Sequence, residues 1–388
     1  MNYLSEVLKI LDGALRHNVD QASRYASLLA EKMENDGLQS HAKMIRERLA
    51  KVPKPSVAAS GLELLPVDKE TRHALVDEDR PLRGEESSFF STGVAARFDE
   101  FIESIRRRDE LMAAGVHSSP RMLIYGPPGC GKTLAARVIA AQLALPLLTV
   151  RCDALVSSLL GQTGRNLRTV FDHAAERPCV LFLDEFDALG KSRAHHSEIG
   201  ELQRVVIAML QNLDSLPIDT VVVAATNHEE LLDRAVWRRF SFVVPMEQPN
   251  LDQRLKMWGS MAGHFFTSER DLQLMAELSD GMSGAAIKTV SYDVLRDAVL
   301  SGKSSVSLPA AARRLARIRW IGEGKDISGD REEMRALRAW APKVFTWKVI
   351  GDLYSMSARQ VQKVLGEGNE RLGEADSVRG SVPGGLLR

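Results

Sequence analysis

The sequence predicts an α/β fold: a parallel five-stranded sheet with helices on both faces, followed by an all-α subdomain and flanked by small helical units. Three observations carry this. From residue 121 to 244, apolar runs alternate with amphipathic stretches at the spacing of strand–helix–strand units. The strand candidates, such as Cys179-Val180-Leu181-Phe182-Leu183 and Val221-Val222-Val223-Ala224-Ala225, are almost unbroken apolar runs, as strands buried on both faces require. After Pro245 the patterning becomes helical alone.

Taken in order, residues 1–50 carry helical periodicity. Leu4, Leu8, Leu11 and Leu15 share a stripe that Tyr25, Leu28, Leu29 and Met33 continue. Asp36-Gly37 breaks it, and a second helix runs from about Gln39 to Leu49. This is a small antiparallel hairpin of the kind used for docking or oligomer support. Residues 51–65 have the composition of a linker. The core is expected over 66–245. It opens on an ambiguous stretch to residue 90, then one charged amphipathic helix from Ala95 to Ala114 that buries Phe98, Phe101, Ile102 and Ile105. Strands are expected at 121–125, 146–150, 179–184, 220–225 and 240–244, and helices at 132–143, 163–176, 197–213 and 229–238. A helical subdomain over 246–320 follows, with helices at 251–262, 270–278, 284–300 and 308–319. A short linker leads to a tri-helical unit over 330–368, and 369–388 reads as a flexible tail.

Composition narrows the classes. The chain has 388 residues, enough for two or three compact units. Its 51 basic and 51 acidic side chains cancel, so no global field draws it to nucleic acid or to an anionic membrane. Cys130, Cys152 and Cys179 have neither metal-ligand spacing nor a disulfide framework, which fits a reducing, cytoplasmic setting. The N-terminus lacks the marks of a signal peptide, and no apolar run approaches the ~20 residues that span a bilayer, so no membrane role is expected.

The chemistry begins at Gly126-Pro127-Pro128-Gly129-Cys130-Gly131-Lys132-Thr133, on a turn from an apolar run into a helix that opens with Leu134. This is the phosphate-binding P-loop pattern. Backbone N–H groups must close around a triphosphate, so bulky side chains are excluded. Lys132 supplies charge for the β and γ phosphates, Thr133 offers a hydroxyl to Mg²⁺, and the helix N-terminus adds a partial positive charge. Cys130 reads as a small side chain that fits the loop. The run Val180–Glu185 ends in two acids at the carboxyl edge of the sheet, where open α/β sheets bind ligands. Asp184 suits orienting Mg²⁺ or its waters, and Glu185 suits polarising an attacking water. Asn227, in Ala225-Thr226-Asn227 at the next strand end, suits contact with that water or the γ phosphate. Arg238 and Arg239 close the segment Leu232–Phe240 and are candidates for stabilising charge in phosphoryl transfer.

Together, Gly126–Thr133, Leu181–Glu185, Thr226-Asn227 and Leu232–Phe240 resemble the Walker A, Walker B, sensor 1 and second region of homology of the AAA branch of the AAA+ ATPases. The layout is most similar to the katanin and spastin type and to small stand-alone bacterial AAA ATPases. The resemblance covers about 66–300 and implies ATP and Mg²⁺ as ligands and a homo-oligomeric ring, usually a hexamer. In such a ring Arg238 and Arg239 reach a neighbour's nucleotide. It also implies that Asp280–Ile287 is the helical-lid motif, with the Gly284-Ala285 backbone beside adenine and ribose. One departure is notable. Where threading members carry an aromatic pore residue, this chain has Ser157-Ser158-Leu159-Leu160-Gly161, and Leu159 offers less contact area than an aromatic. Lys191–His196 falls where a second pore loop would lie.

Thr346–Leu365 resembles a helix-turn-helix. Thr346 and Ser357 are N-caps, Val349, Ile350, Leu353, Val361, Val364 and Leu365 face inward, and Arg359, Gln360 and Lys363 face outward. Ser355 stands at the turn, where Gly is common. Residues 331–365 carry seven basic against three acidic side chains. DNA binding and protein docking both fit this segment. Three roles therefore stand open: a ring ATPase that remodels a protein partner, a DNA-associated AAA ATPase, and a switch whose ATP-dependent assembly controls a separate effector.

Overall fold

The computed structural model describes residues 3–15, 19–49, 65–68, 72, 74–82, 84, 89–150, 160–186, 199–266 and 268–366. The chain divides into two units, Met1–Glu247 and Gln248–Arg388.

In the first unit, helices α1 (Leu4–Leu15), α2 (Val19–Asn35) and α3 (Gln39–Leu49) precede the sheet. The N-terminal segment is thus three helices rather than a two-helix hairpin. The expected leucine stripe also divides. Tyr25 and Leu29 of α2 are buried, whereas Leu4, Leu8, Leu11 and Leu15 of α1 are exposed. The inner side of α1 is instead Glu6, ion-paired with Lys32, and Gly13, where a Cβ would meet the Ala22 nitrogen at 2.7 Å. These helices are seated on the core. The Leu4 N–H donates to Asp109 Oδ2 at 2.8 Å, and Lys9 pairs with Asp219 at 3.2 Å, just before a strand begins.

Among the described residues the sheet has six strands, not five: β1 (Val76–Asp79), β2 (Arg121–Tyr125), β3 (Leu147–Val150), β4 (Val180–Leu183), β5 (Val221–Thr226) and β6 (Phe242–Pro245), in the order β1-β3-β4-β5-β2-β6. β2 to β6 are parallel, and β1 runs antiparallel to β3 with Val76 opposite Val150. The extra strand is Val-Asp-Glu-Asp, whose acids hide it from any apolar pattern. It is an edge strand, where charge is favoured, and its acids are answered by Arg137 at Asp79 and Arg177 at Glu78. Alternate residues of the central strands enter different cores. Leu123, Leu181, Leu183, Val222 and Ala224 pack with α7 (Leu160–Ala175) and α8 (Ile199–Ser215). Met122, Ile124, Val180, Phe182, Val221 and Val223 pack with α4 (Thr92–Arg106) and α6 (Lys132–Leu143). Both faces are covered, which is why these strands are apolar throughout. The single helix expected over 95–114 breaks at Arg107 into α4 and α5 (Arg108–Ala113). The helix expected over 229–238 is a 3₁₀ turn, Glu229–Leu231, followed by α9 (Arg234–Trp237).

Among its described residues the second unit is all-α: α10 (Leu251–Ala262), α11 (Glu269–Leu278), α12 (Gly284–Leu300), α13 (Leu308–Gly322), α14 (Asp330–Trp340), α15 (Trp347–Tyr354) and α16 over 358–366. The segments read from sequence as a lid and a terminal unit share one continuous core, from Trp258 and Ile287 through Leu315 and Trp320 to Leu337, Ile350 and Val361. A buried carboxylate stitches them together. Glu333 of α14 accepts two hydrogen bonds each from Arg313 and Arg317 of α13, and one at 2.5 Å from the Tyr354 hydroxyl of α15.

Candidate active site

The loop after β2 is shaped by its glycines before any ligand is considered. Gly126 has φ +140°, and a Cβ there would lie 2.0 Å from the Met246 carbonyl oxygen. Met246 follows β6, and its N–H donates to Tyr125 O at 2.7 Å. Gly126 is therefore required by the close passage of the β6 exit. Gly129 and Gly131 also have positive φ, +77° and +96°, and Gly131 caps α6. Pro127, Pro128 and Gly129 are exposed at the loop's tip. Phe90 and Met246 line the inner side beside Gly131, packed with the partly buried Cys130 and Leu134. Neither Phe90 nor Met246 is marked by any motif. Burial raises the Cys130 thiol above its ordinary range against the opposing pull of Lys132, so the cysteine is a packing group, not a reactive thiolate.

Lys132 is 7% exposed and sits inside the loop, where its Nζ donates to Gly126 O at 2.7 Å and Pro127 O at 2.8 Å. The next residue turns the other way. Thr133 Oγ1 donates to Asp184 Oδ2 at 2.8 Å, which joins the P-loop helix to the end of β4. Asp184 Oδ1 accepts from the Glu185 N–H at 2.9 Å. Glu185 is exposed and has φ +49°, a left-handed conformation that a non-glycine residue occupies at a cost of about 1–3 kcal/mol. The flanking Phe186 is buried, so the turn anchors one side chain and projects the other.

Strand order places the third group. β5 lies between β2 and β4, with Tyr125 opposite Thr226 and Leu183 opposite Ala224. Asn227, one residue past β5, therefore emerges between the P-loop and Asp184. Thr226 Oγ1 accepts the His228 N–H at 3.1 Å and shapes that exit.

The two arginines behave differently. Arg238 is exposed. Arg239 is half-buried and engaged on three nitrogens: Nε at 3.0 Å and NH2 at 2.9 Å reach the Asp214 carboxylate, and NH1 donates to Ala235 O at 2.7 Å. Asp214, near the end of α8, was not marked by the sequence. The segment is anchored by Trp237, whose ring meets Tyr125 edge-on at 5.4 Å, and by Phe240, which meets Phe186 edge-on at 6.2 Å. The arginine-bearing turn is thus packed against residues flanking both the P-loop and Glu185.

Gly284 and Ala285 lie in the other unit, in the first turn of α12, where Ser283 Oγ accepts the Ala286 N–H. Leu159 and Lys191–His196 fall outside the described residues, and Leu160 begins α7. In the terminal helices Arg359, Gln360 and Lys363 are exposed as expected, but Gln360 Oε1 accepts the Ser357 N–H at 2.7 Å in a reciprocal cap, which occupies the group that would read a base. Among the described residues no group of three or more His, Cys, Asp or Glu could hold a metal ion, and no helix is long and apolar enough to cross a membrane.

Residues 122–248 match the model of the ATPase family associated with various cellular activities (AAA). An uncharacterized AAA family ATPase of Sinorhizobium fredii is 46% identical over 148 residues, 38% of this chain and 45% of that protein. A proteasome-activating nucleotidase of Aeropyrum pernix is 32% identical over 213 residues, 53% of this chain and 52% of that protein. One from Methanopyrus kandleri is 29% identical over 285 residues, 69% of this chain and 64% of that protein. The chain spans about half the length of the curated relatives it matches.

Proposed function

We propose, from the premise that this chain carries an AAA-family ATPase domain, that it binds and hydrolyses ATP in a cytoplasmic homo-oligomeric ring, a hexamer, and uses the cycle to remodel or regulate a protein partner. The observation that carries the reading is the Thr133–Asp184 contact at 2.8 Å, beside a buried Lys132 and a projected Glu185. It joins the two halves of a nucleotide site that lie 51 positions apart in the chain.

Gly126, Pro127, Pro128, Gly129, Cys130, Gly131 and Leu134 form or flank the phosphate cradle, and Lys132 exchanges its loop carbonyls for phosphate oxygens. The hydroxyl of Thr133 and the carboxylate of Asp184 are hard oxygen donors, which fit Mg²⁺ shared with phosphates and water. Bound there, Mg²⁺ supplies charge neutralisation at the phosphates. Glu185 accepts a proton from the attacking water, and Asn227 holds that water against the γ phosphate. Arg238 and Arg239 serve the neighbouring protomer's site, and the Gly284-Ala285 backbone serves the base and ribose. Two relatives named for activating a proteasome support a protein-directed role. Glu185→Gln should retain ATP in a stable oligomer while turnover falls about 100-fold or more. A variant that stays monomeric at saturating ATP and hydrolyses at the wild-type rate would remove the proposal.

DNA association is a second reading, favoured by the exposed Arg359 and Lys363 on α16 after the tight Ser355 turn. The third, an assembly switch acting on a separate effector, shares the same chemistry. Arg359→Ala with Lys363→Ala should weaken retardation of mixed duplex DNA across a salt series and reduce the salt slope. Absence of retardation by the wild-type chain at low salt would leave protein docking.

A further inference from the structure

We propose that α1 pairs with α1 of a second copy of this chain, antiparallel and about a two-fold axis, through the leucine stripe that the fold turns outward. Leu4 and Leu8 are 41% and 47% exposed, Leu11 and Leu15 are 51% and 70% exposed, and Val7 stands beside them at 47%. A contiguous apolar face of this kind marks an interaction site, whereas single exposed apolar side chains need no explanation. The opposite face of α1 is engaged within the protomer. Glu6 pairs with Lys32, and Gly13 sits against Ala22 of α2. Rolling the helix to bury its leucines would break those contacts. It would also break the bonds that Asp109 and Asp219 of the core make to the Leu4 N–H and to Lys9.

The stripe has the spacing of a helix-pairing seam. Its intervals of four, three and four residues place the leucines at alternating a and d positions of a heptad. Read backwards, the intervals are the same. A second α1 running the opposite way therefore sets Leu4 against Leu15 and Leu8 against Leu11 in every layer. The flanks agree with this. One flank carries Val7 and Ala14, which meet the same apolar residues of the second copy. The other carries Ser5 and Asp12, and the antiparallel pair brings each Ser5 hydroxyl to the Asp12 carboxylate of the other copy, to which it donates. A parallel pair would instead set Asp12 against Val7 and align the two helix dipoles unfavourably. A foreign helix would be selected by charges beside the seam, and of these four flanking residues only Asp12 is charged.

Such a pair is isologous, whereas a ring contact is heterologous, so it joins two assemblies or two free chains and does not extend a ring. Its size sets its strength. The helix has 12 residues and is about 18 Å long. Two such faces fall near the lower limit of about 1,000 Å² for a specific interface. One pair is therefore weak and reversible, and several together hold by avidity.

The test is sedimentation of the full chain without nucleotide, over a wide concentration series. Wild type should show monomers in reversible equilibrium with dimers. Leu8→Asp combined with Leu11→Asp sets carboxylates against one another in the seam and should weaken dimerisation at least about 100-fold. The circular dichroism spectrum of the monomer should not change, because both side chains are exposed in the single chain. Ser5→Asp reads the orientation. It adds an acid to the first turn of α1, which favours the helix, yet it faces Asp12 of the second copy and should weaken the pair about threefold. Ser5→Lys should tighten the pair by a similar factor, since it faces the same carboxylate. Equal affinity with Ser, Asp or Lys at position 5 would overturn the antiparallel register. Dimers indifferent to the two leucine substitutions would overturn the seam. A wild-type chain that stays monomeric at every concentration would overturn the proposal and leave the stripe to a helix of another protein. None of these readings uses ATP turnover, so a failure of the ATPase reading would not produce them.

Discussion

Glu185 and Gly126 show how much of a site is decided one residue at a time. The acid is carried on a left-handed backbone turn directly after Asp184, whose carboxylate meets Thr133. The sequence marks Gly126, Gly129 and Gly131 alike as concessions to a phosphate, yet they answer to different neighbours. Gly126 is pressed against the Met246 carbonyl, whereas a Cβ at Gly131 would find its nearest atom, on Phe90, at 3.6 Å. Gly126→Ala should therefore destabilise the core by about 2–4 kcal/mol through overlap and backbone strain. Gly131→Ala should cost only about 1 kcal/mol of strain. Chemical denaturation of the nucleotide-free variants distinguishes them, and equal losses would show that the β6 exit does not press on the loop.

At the scale of elements, the helices of the second unit are joined by chemistry that no local pattern announces. Burial alone would raise the Glu333 pKa, but hydrogen bonds from Arg313, Arg317 and Tyr354 overcome that and hold it at about 2, below its ordinary 4.5. A carboxyl whose folded pKa is depressed contributes stability that is complete above its unfolded pKa and is lost as pH falls toward the folded value. The joint between α13, α14 and α15 should therefore hold above about pH 4.5 and fail progressively toward pH 2. Glu333→Gln should remove that acid dependence and destabilise the unit by about 3 kcal/mol at neutral pH, because it leaves two cations facing a lost partner. Far-ultraviolet melts at stepped pH would check both, and an unchanged acid limb would refute the role of Glu333. The β1 strand teaches the converse lesson. Its acids conceal it from periodicity, and long-range arginines make it legible only once folded.

Across the whole molecule, sequence-local information went furthest where both faces of an element are buried or where a backbone needs one residue type. The β2 to β6 strands, α6, α10 and α12 could be read from apolar runs and periodicity, and the P-loop from its glycines. Element breaks at Arg107 and around Leu232 were not legible, since nothing apolar changes there. The N-terminal stripe was legible as a stripe but not as to side, because α1 turns Gly13, not its leucines, against Ala22 on the next helix. The merged core of the second unit was concealed by a Gly-containing stretch, 322–329, that looks like a tether, yet its Ile327 packs against the same apolar cluster as Trp320.

The kind of chemistry is written in residue types and their spacing along the chain. A glycine turn, a lysine, a hydroxyl and a strand ending in two acids specify a phosphate site, because backbone conformation and donor type are local properties. Which of these groups meet depends on how the elements pack. Placing β5 between β2 and β4 sets Asn227 beside the loop, and the end of α8 brings Asp214 to Arg239 but not to Arg238. Those contacts span 25 or more positions, and a chain of residues carries no record of such distances until its hydrophobic faces have been buried.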